Sequence, residues 1–188
     1  VIVDFDDFCE DDHRLELLET LREANPLFRC TLFAIPARGS TEFWDAVPEW
    51  CELAAHGWEH PDPYESSAWT YDQAMDSLMC TPARFVSGFK APGWQISQGT
   101  YQAIAEAEWW VADHWDNDDR RPDGIRAHVI APPAACGADP DHWHGHIPNV
   151  CGNGIAETFP ELLQRVREAV SFEWVSECTT PWRAKVPA

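Results

Sequence analysis

The chain has 188 residues, 45% of them apolar and 24% charged; this suits one globular domain over 1–188 and excludes disorder, because enough apolar surface exists to offset ordering entropy. No stretch approaches the roughly 18 apolar residues that a membrane span requires, so no membrane partner is expected. With 32 acidic against 13 basic residues, formally −19, the surface repels a phosphate backbone, and nucleic acid is not expected either.

Fifteen prolines and ten glycines predict a loop-rich fold. The seven cysteines, Cys9, Cys30, Cys51, Cys80, Cys136, Cys151 and Cys178, are widely spaced without a C-x-x-C pair. They read as reduced thiols packing like small apolar side chains. Together with the absence of a leader pattern before Val1-Ile2-Val3, this favours a cytoplasmic setting.

In chain order, Val1–Phe5 is short, β-branched and followed by acids: a strand, then a loop. Leu15, Leu18 and Leu21 share one face of a helix over Asp11–Ala24, stopped by Asn25-Pro26. A second strand spans Phe28–Ile35, a short helix Thr41–Val47, and a short apolar run Cys51–Ala55. Thr70–Met79 is a helix with Thr70 as its cap, and Arg84–Lys90 a strand ending at Ala91-Pro92-Gly93. Ser97–Glu106 is a helix capped by Ser97, Trp109–Ala112 a strand, and Asp113–Asp123 an acidic loop. Strands follow at Arg126–Ala131, closed by Pro132-Pro133, and at His142–Ile147. An amphipathic helix over Thr158–Val170 and a last strand, Phe172–Val175, complete the series. This alternation is that of an α/β domain with a mainly parallel sheet, either open or closed into a small barrel. In such folds ligands sit at the carboxyl ends of strands, where Asp6-Asp7, His56, Lys90, Asp113 and His144/His146 all fall.

Four segments carry chemistry. Asp6 and Asp7 are adjacent carboxylates at a strand end; they enter one site only if the chain is already turning, and one can bind a metal while the other acts as a base. His56 and His60 stand at i and i+4, a spacing that puts both imidazoles on one face of a helical turn, with Glu59 pointing away. Two histidines and one carboxylate on a divalent metal leave a position open for water. Lys90-Ala91-Pro92-Gly93-Trp94 brings a cation, backbone N–H groups and an indole into one turn. His142, His144 and His146 alternate onto one face of a strand, as metal ligands or as a source of a general acid. Asp113, just before His114-Trp115, is placed to orient one of them. Eleven tryptophans exceed what a core needs, and Trp58, Trp94 and Trp115 beside these residues offer faces for sugar rings.

In this order the segments resemble the polysaccharide deacetylase family (NodB-homology domain, carbohydrate esterase family 4). That family runs T-F-D-D, H-[ST]-x-x-H, R-x-P, an Asp-Trp element and a late strand ending in His. The matching residues are Phe5-Asp6-Asp7, His56-x-x-x-His60, Lys90-Ala91-Pro92-Gly93, Asp113-His114-Trp115 and His144-Gly145-His146. The resemblance implies an irregular (β/α) barrel of about seven mainly parallel strands. It implies Asp6 as general base and Asp7, His56 and His60 as ligands of a divalent metal, most often zinc, with cobalt, nickel or manganese as substitutes. It implies a late histidine as general acid, oriented by Asp113, with His146 preferred to His144 because it ends the strand. Pro92, Gly93, Trp94 and Trp115 would meet the substrate and its oxyanion. The implied activity is removal of an acetyl group from an N-acetylated saccharide or a related amide or ester. Lys90 in place of arginine, Phe8 in place of glycine and Gly57 in place of a hydroxyl residue mark a divergent member. The alternatives are a saccharide-binding module without catalysis, or a different metallohydrolase built on His142, His144 and His146.

Overall fold

A computed structural model describes residues 1–131, 139–150 and 152–182. Cys136, Cys151 and the Pro132-Pro133 strand stop lie outside the described residues. Among the described residues eight strands form one sheet: β1 (Ile2–Phe8), β2 (Cys30–Ala34), β3 (Cys51–His56), β4 (Gly88–Lys90), β5 (Trp110–His114), β6 (Arg126–Ile130), β7 (His142–His146) and β8 (Thr180–Pro181). Their spatial order is β7-β1-β2-β3-β4-β5-β6-β8. All pairings are parallel except the short β6–β8 pair. The sheet curls: His128 on β6 and His142 on β7, far apart in strand order, come within 3.5 Å (Nε2 to Nδ1). This is the expected barrel-like α/β fold, as an incompletely closed barrel.

Strand parity divides the core into an outer and an inner part. Val3 and Phe5 on β1, Leu32 on β2, Leu53 on β3 and Trp143 on β7 pack outward with Leu18 and Leu21 of α1 (Leu15–Ala24). Leu162 and Val166, from the long helix Ile155–Glu168, join that outer cluster. Phe89, Val111 and Ala127 pack outward with Ala74 and Leu78 and with Tyr101 and Ile104. The inner cluster is small: Phe33, Ala54, Trp110, Ala112, Ile130 and Val175, with Ile2, Val86 and Trp94 packed against it. The rest of the interior is polar, and Asp4, Asp6, His56, Lys90, His142 and His144 are all buried.

The expected helices are present, and side-chain caps explain the starts of three of them. Ser40 caps α2 (Thr41–Ala46), and Thr70 forms a capping box with Gln73 at α3 (Tyr71–Cys80). Ser97 caps α4 (Gln98–Glu106). The final helix, α5 (Ile155–Glu168), begins three residues earlier than its apolar pattern indicates. Helix α1 begins at Leu15 instead of Asp11, because a Cys9–Asp12 bridge and a left-handed Arg14 (φ 47) occupy the intervening turn. The predicted last strand, Phe172–Val175, makes only an isolated bridge from Glu173 to Ile2 before the 3-10 turn Val175–Cys178. Its apolar side chains divide: Val175 lies in the inner cluster, and Phe172 packs on Phe28 in the outer one. Of the five described cysteines, Cys9, Cys30 and Cys51 are buried.

Candidate active site

The site lies at the carboxyl ends of β1, β3, β4 and β7. Strand β1 continues through Asp6 and Asp7 and does not end at Phe5. In a regular strand those two carboxylates would face opposite ways. The β1–β2 register shifts between Phe5 and Phe8, and Asp7 takes a left-handed conformation (φ 64) that aspartate tolerates. Both carboxylates therefore reach His56, Asp7 together with His60 and Asp6 together with His144 and His146.

His56 ends β3, but His60 is not on a helical turn with it. Gly57 (φ 65) and His60 (φ 51) reverse the chain, folding the loop around the Glu65 carboxylate. Glu65 accepts the N–H groups of Trp58 (3.0 Å), Glu59 (3.0 Å) and His60 (3.1 Å). A Cβ on Gly57 would run into the Glu65 carboxylate and Pro92, which is why glycine stands where a hydroxyl residue is expected. Glu65 was not legible beforehand, since it sits in a loop without periodicity. The turn brings three donors together: His56 Nε2 and His60 Nε2 lie 3.5 and 3.2 Å from Asp7 Oδ1. Three ligands on a tetrahedral ion with bonds of about 2.0–2.1 Å are spaced by about 3.3 Å, so this donor set fits a divalent metal. His56 Nδ1 lies 3.1 Å from the Lys90 carbonyl; it donates there, leaving the Nε2 lone pair facing Asp7. Burial, opposed by Asp6 and Asp7, depresses the His56 pKa, keeping the ring neutral as a ligand must be. Burial also acts against ionisation of Asp7, but hydrogen bonding from His60 and the charges of His56 and His60 hold its carboxyl well below the usual range.

Lys90 is completely buried and is not a surface residue on a turn. Its Nζ bridges two carboxylates, 2.6 Å from Asp6 Oδ1 and 3.1 Å from Asp4 Oδ1. Phe33 and Trp94 flank the ammonium with ring centroids at 4.6 and 4.3 Å. Removing a lysine from water costs several kcal/mol, and only close counter-charges offset it. Desolvation pushes Asp6 up, yet Lys90, then His56 and His144, bring its pKa below the ordinary value. Asp6 is thus ionised, with Oδ1 held by Lys90. Its Oδ2 lies 3.9 Å from His56 Nε2, 3.8 Å from His144 Nε2 and 4.0 Å from His146 Nε2.

The late histidines separate. His142 turns its Nε2 to Asp4 Oδ2 (2.5 Å) inside the barrel, so His142, His144 and His146 do not form one ligand set. Asp6, His144 and His146 form a second group with donor atoms within 4.8 Å of one another. Asp113 does not orient either candidate acid. Trp110 and Ala112 face inward on β5, so Asp113 faces outward with Val111. There it binds Tyr101 Oη (2.5 Å), Asn117 Nδ2 (2.7 Å) and Arg121 Nε (2.9 Å). The carboxylate on His144 is Asp4, 2.8 Å from Nδ1, a residue that the alternation Val3-Asp4-Phe5-Asp6 could have exposed.

The Pro92–Trp94 turn roofs the site. Gly93 takes φ 55, and a Cβ there would meet the Pro63 carbonyl at 2.5 Å. Trp94 lies 5.4 Å from the His144 ring and 5.3 Å from the His114 ring. Trp115 lies beside His114 with the rings tilted (centroids 5.4 Å apart) and is 44% exposed at the rim.

The sequence matches no protein-family model and no curated protein. Solved structures do match. A Xyl-CE4 domain of a multidomain xylanase from the hindgut metagenome of Trinervitermes trinervoides aligns over 94% of this chain and 87% of its own, at 19% identity and TM-score 0.61. The T48 deacetylase solved with substrate aligns over 96% and 92%, at 14% identity and TM-score 0.62. A family 4 acetyl xylan esterase from Clostridium thermocellum, in complex with a cobalt ion, aligns over 94% and 88%, at 13% identity and TM-score 0.54. With its curled parallel sheet and its carboxylates and histidines gathered at one mouth, the chain has the fold of the family 4 carbohydrate esterases and polysaccharide deacetylases.

Proposed function

We propose that this protein is a metal-dependent hydrolase that removes an acetyl group from an N-acetylated saccharide or a related amide or ester. The observation that carries the reading is the pairing of Asp7, His56 and His60, spaced for one divalent ion, with an ionised Asp6 whose free oxygen faces them. A bound zinc or similar cation would supply Lewis acidity toward the scissile carbonyl and the attacking water. Asp6 Oδ2 accepts the proton of that water, while Lys90 fixes Oδ1 and keeps the carboxylate charged. The Gly93 backbone N–H, beside the site, is the candidate donor to the oxyanion. His144 gives a proton from Nε2 to the leaving nitrogen. His144 is preferred to His146 because its Nδ1 is anchored, whereas buried His146 Nδ1 has no hydrogen-bond partner among the described residues. Trp94 and Trp115 supply faces for a sugar ring, consistent with a carbohydrate substrate.

A second reading places the cation on Asp6, His144 and His146, whose donors also cluster. Lys90 at 2.6 Å from Asp6 opposes it, since a cation already claims that carboxylate. The test is acetate release from N-acetylated saccharides after chelation and after zinc or cobalt is restored. Metal-dependent release at one ion per chain is expected. No release from any N- or O-acetylated saccharide at full metal loading would overturn the proposal, and loading that survives loss of His56 and His60 would favour the second reading.

A further inference from the structure

We propose that Asp4 is the positioning residue of the general acid: it holds His144 through Nδ1, as the centre of a buried chain His128–His142–Asp4–His144 across the barrel. This rests on the deacetylase reading above. Asp4 is fully buried, one inward position before Asp6 on β1 and in register with His144 on β7. Three donors converge on it: Lys90 Nζ at 3.1 Å and His144 Nδ1 at 2.8 Å on Oδ1, and His142 Nε2 at 2.5 Å on Oδ2.

These contacts fix the tautomers. A lysine ammonium beside Asp4 keeps the carboxylate charged despite its burial, and an ionised carboxylate only accepts hydrogen bonds. His144 must therefore carry a proton on Nδ1 and His142 one on Nε2. The 3.2 Å separation of Lys90 Nζ and His144 Nδ1 is then two donors meeting at one oxygen. With its proton on Nε2, His142 turns Nδ1 toward His128 Nε2, 3.5 Å away. All four members lie on inward positions of β6, β7 and β1, so the chain links β7, at one end of the curled sheet, to β6, the last strand but one at the other.

The consequence is directional. With Nδ1–H committed to Asp4, the nitrogen of His144 that faces Asp6 Oδ2, at 3.8 Å, is Nε2. When the carbon–nitrogen bond breaks, the imidazolium passes its Nε2 proton to the leaving amine, the new N–H bond forms there, and the ring stays neutral with Nδ1–H on Asp4. The proton that Asp6 took from water then returns to Nε2, restoring both groups as acetate leaves. Asp4 does not touch the substrate; its negative charge stabilises the imidazolium and its geometry aims it.

The experiment compares Asp4→Asn with the wild-type protein at full zinc loading, on an N-acetylated amide and on an acetyl ester with a good leaving group. The expected result is bound zinc unchanged, KM within about threefold, and kcat on the amide lowered about 100-fold or more, with the ester affected only a few-fold. Equal losses on both substrates, or no loss on the amide, would overturn the assignment. Should the variant not fold, 15N spectra of the wild-type His144 ring decide: a proton on Nδ1 supports the chain, and a bare Nδ1 contradicts it. A wild-type protein that cleaves neither substrate removes the deacetylase reading, while the ring spectrum still judges the Asp4–His144 contact separately.

Discussion

Two buried aspartates, Asp4 and Asp113, have nearly the same surroundings and different meanings. Each is at most 2% exposed. Each gathers several donors including one fixed cation, Lys90 for Asp4 and Arg121 for Asp113. Asp4 sits at an inward position of β1, and its imidazole partners reach the mouth that holds Asp6, His56 and His60. Asp113 sits at an outward position of β5, where Tyr101 of α4, Asn117 and Arg121 enclose it behind the sheet. Burial and a paired cation therefore do not distinguish a carboxylate proposed to serve the site from one that ties a helix and a loop to a strand. Strand parity does.

The comparison breaks first at the metal ligands. His56→Ala or His60→Ala should lose both bound metal and turnover, because two ligands do not replace three in a site with an open position; metal analysis with an acetate-release assay checks this. Next comes Lys90→Met. It leaves Asp4 and Asp6 buried without their shared cation, for a stability loss of about 3–5 kcal/mol by denaturant melting. Because Lys90 lowers the Asp6 pKa, its removal raises it, so the acidic limb of the rate profile should move to higher pH. Metal content should hold, since His56 is braced by the Lys90 backbone carbonyl and not by its side chain.

Asp113→Asn should cost about 3 kcal/mol of stability, since the Arg121 guanidinium keeps only Asp118 and the His114 carbonyl. The last effect appears only as a pH dependence of stability and concerns His128, whose pKa burial lowers from 6.5 to about 4. As pH falls from 6.5 toward 4 the unfolded chain takes up a proton that the folded chain refuses, so stability drops across that window. The loss is ~3 kcal/mol at most. His128→Phe should flatten this part of the stability–pH curve, and an unchanged slope would show that His128 is hydrated.

Much of this was legible from residue order. Asp6-Asp7, His56 with His60, Lys90, His144 and His146 do converge, because each lies at the carboxyl end of a strand, or just beyond it, in a parallel sheet. What escaped notice depended on direction or on loop geometry. Asp113 was expected at the late histidines because it follows an apolar run, but Trp110 and Ala112 already claim the inward positions there. Asp4 was overlooked although Val3-Asp4-Phe5-Asp6 alternates in the way a half-polar barrel interior requires. Glu65 had no signal, since the carboxylate that shapes the His56–His60 loop comes from five residues beyond it. Phe172–Val175 has strand composition but makes only one isolated bridge before a 3-10 turn, and strand β8, two residues long, leaves no pattern to read.

The most direct test of inward against outward carboxylates compares Asp6→Asn with Asp113→Asn at saturating zinc, with turnover expressed per folded molecule. Asp6→Asn should keep its fold and its metal and lose about 10²–10⁴-fold in kcat, as loss of a general base does. Asp113→Asn should be less stable yet turn over at nearly the wild-type rate. The opposite pattern, an active Asp6→Asn beside a folded, metal-loaded but inactive Asp113→Asn, would contradict the account.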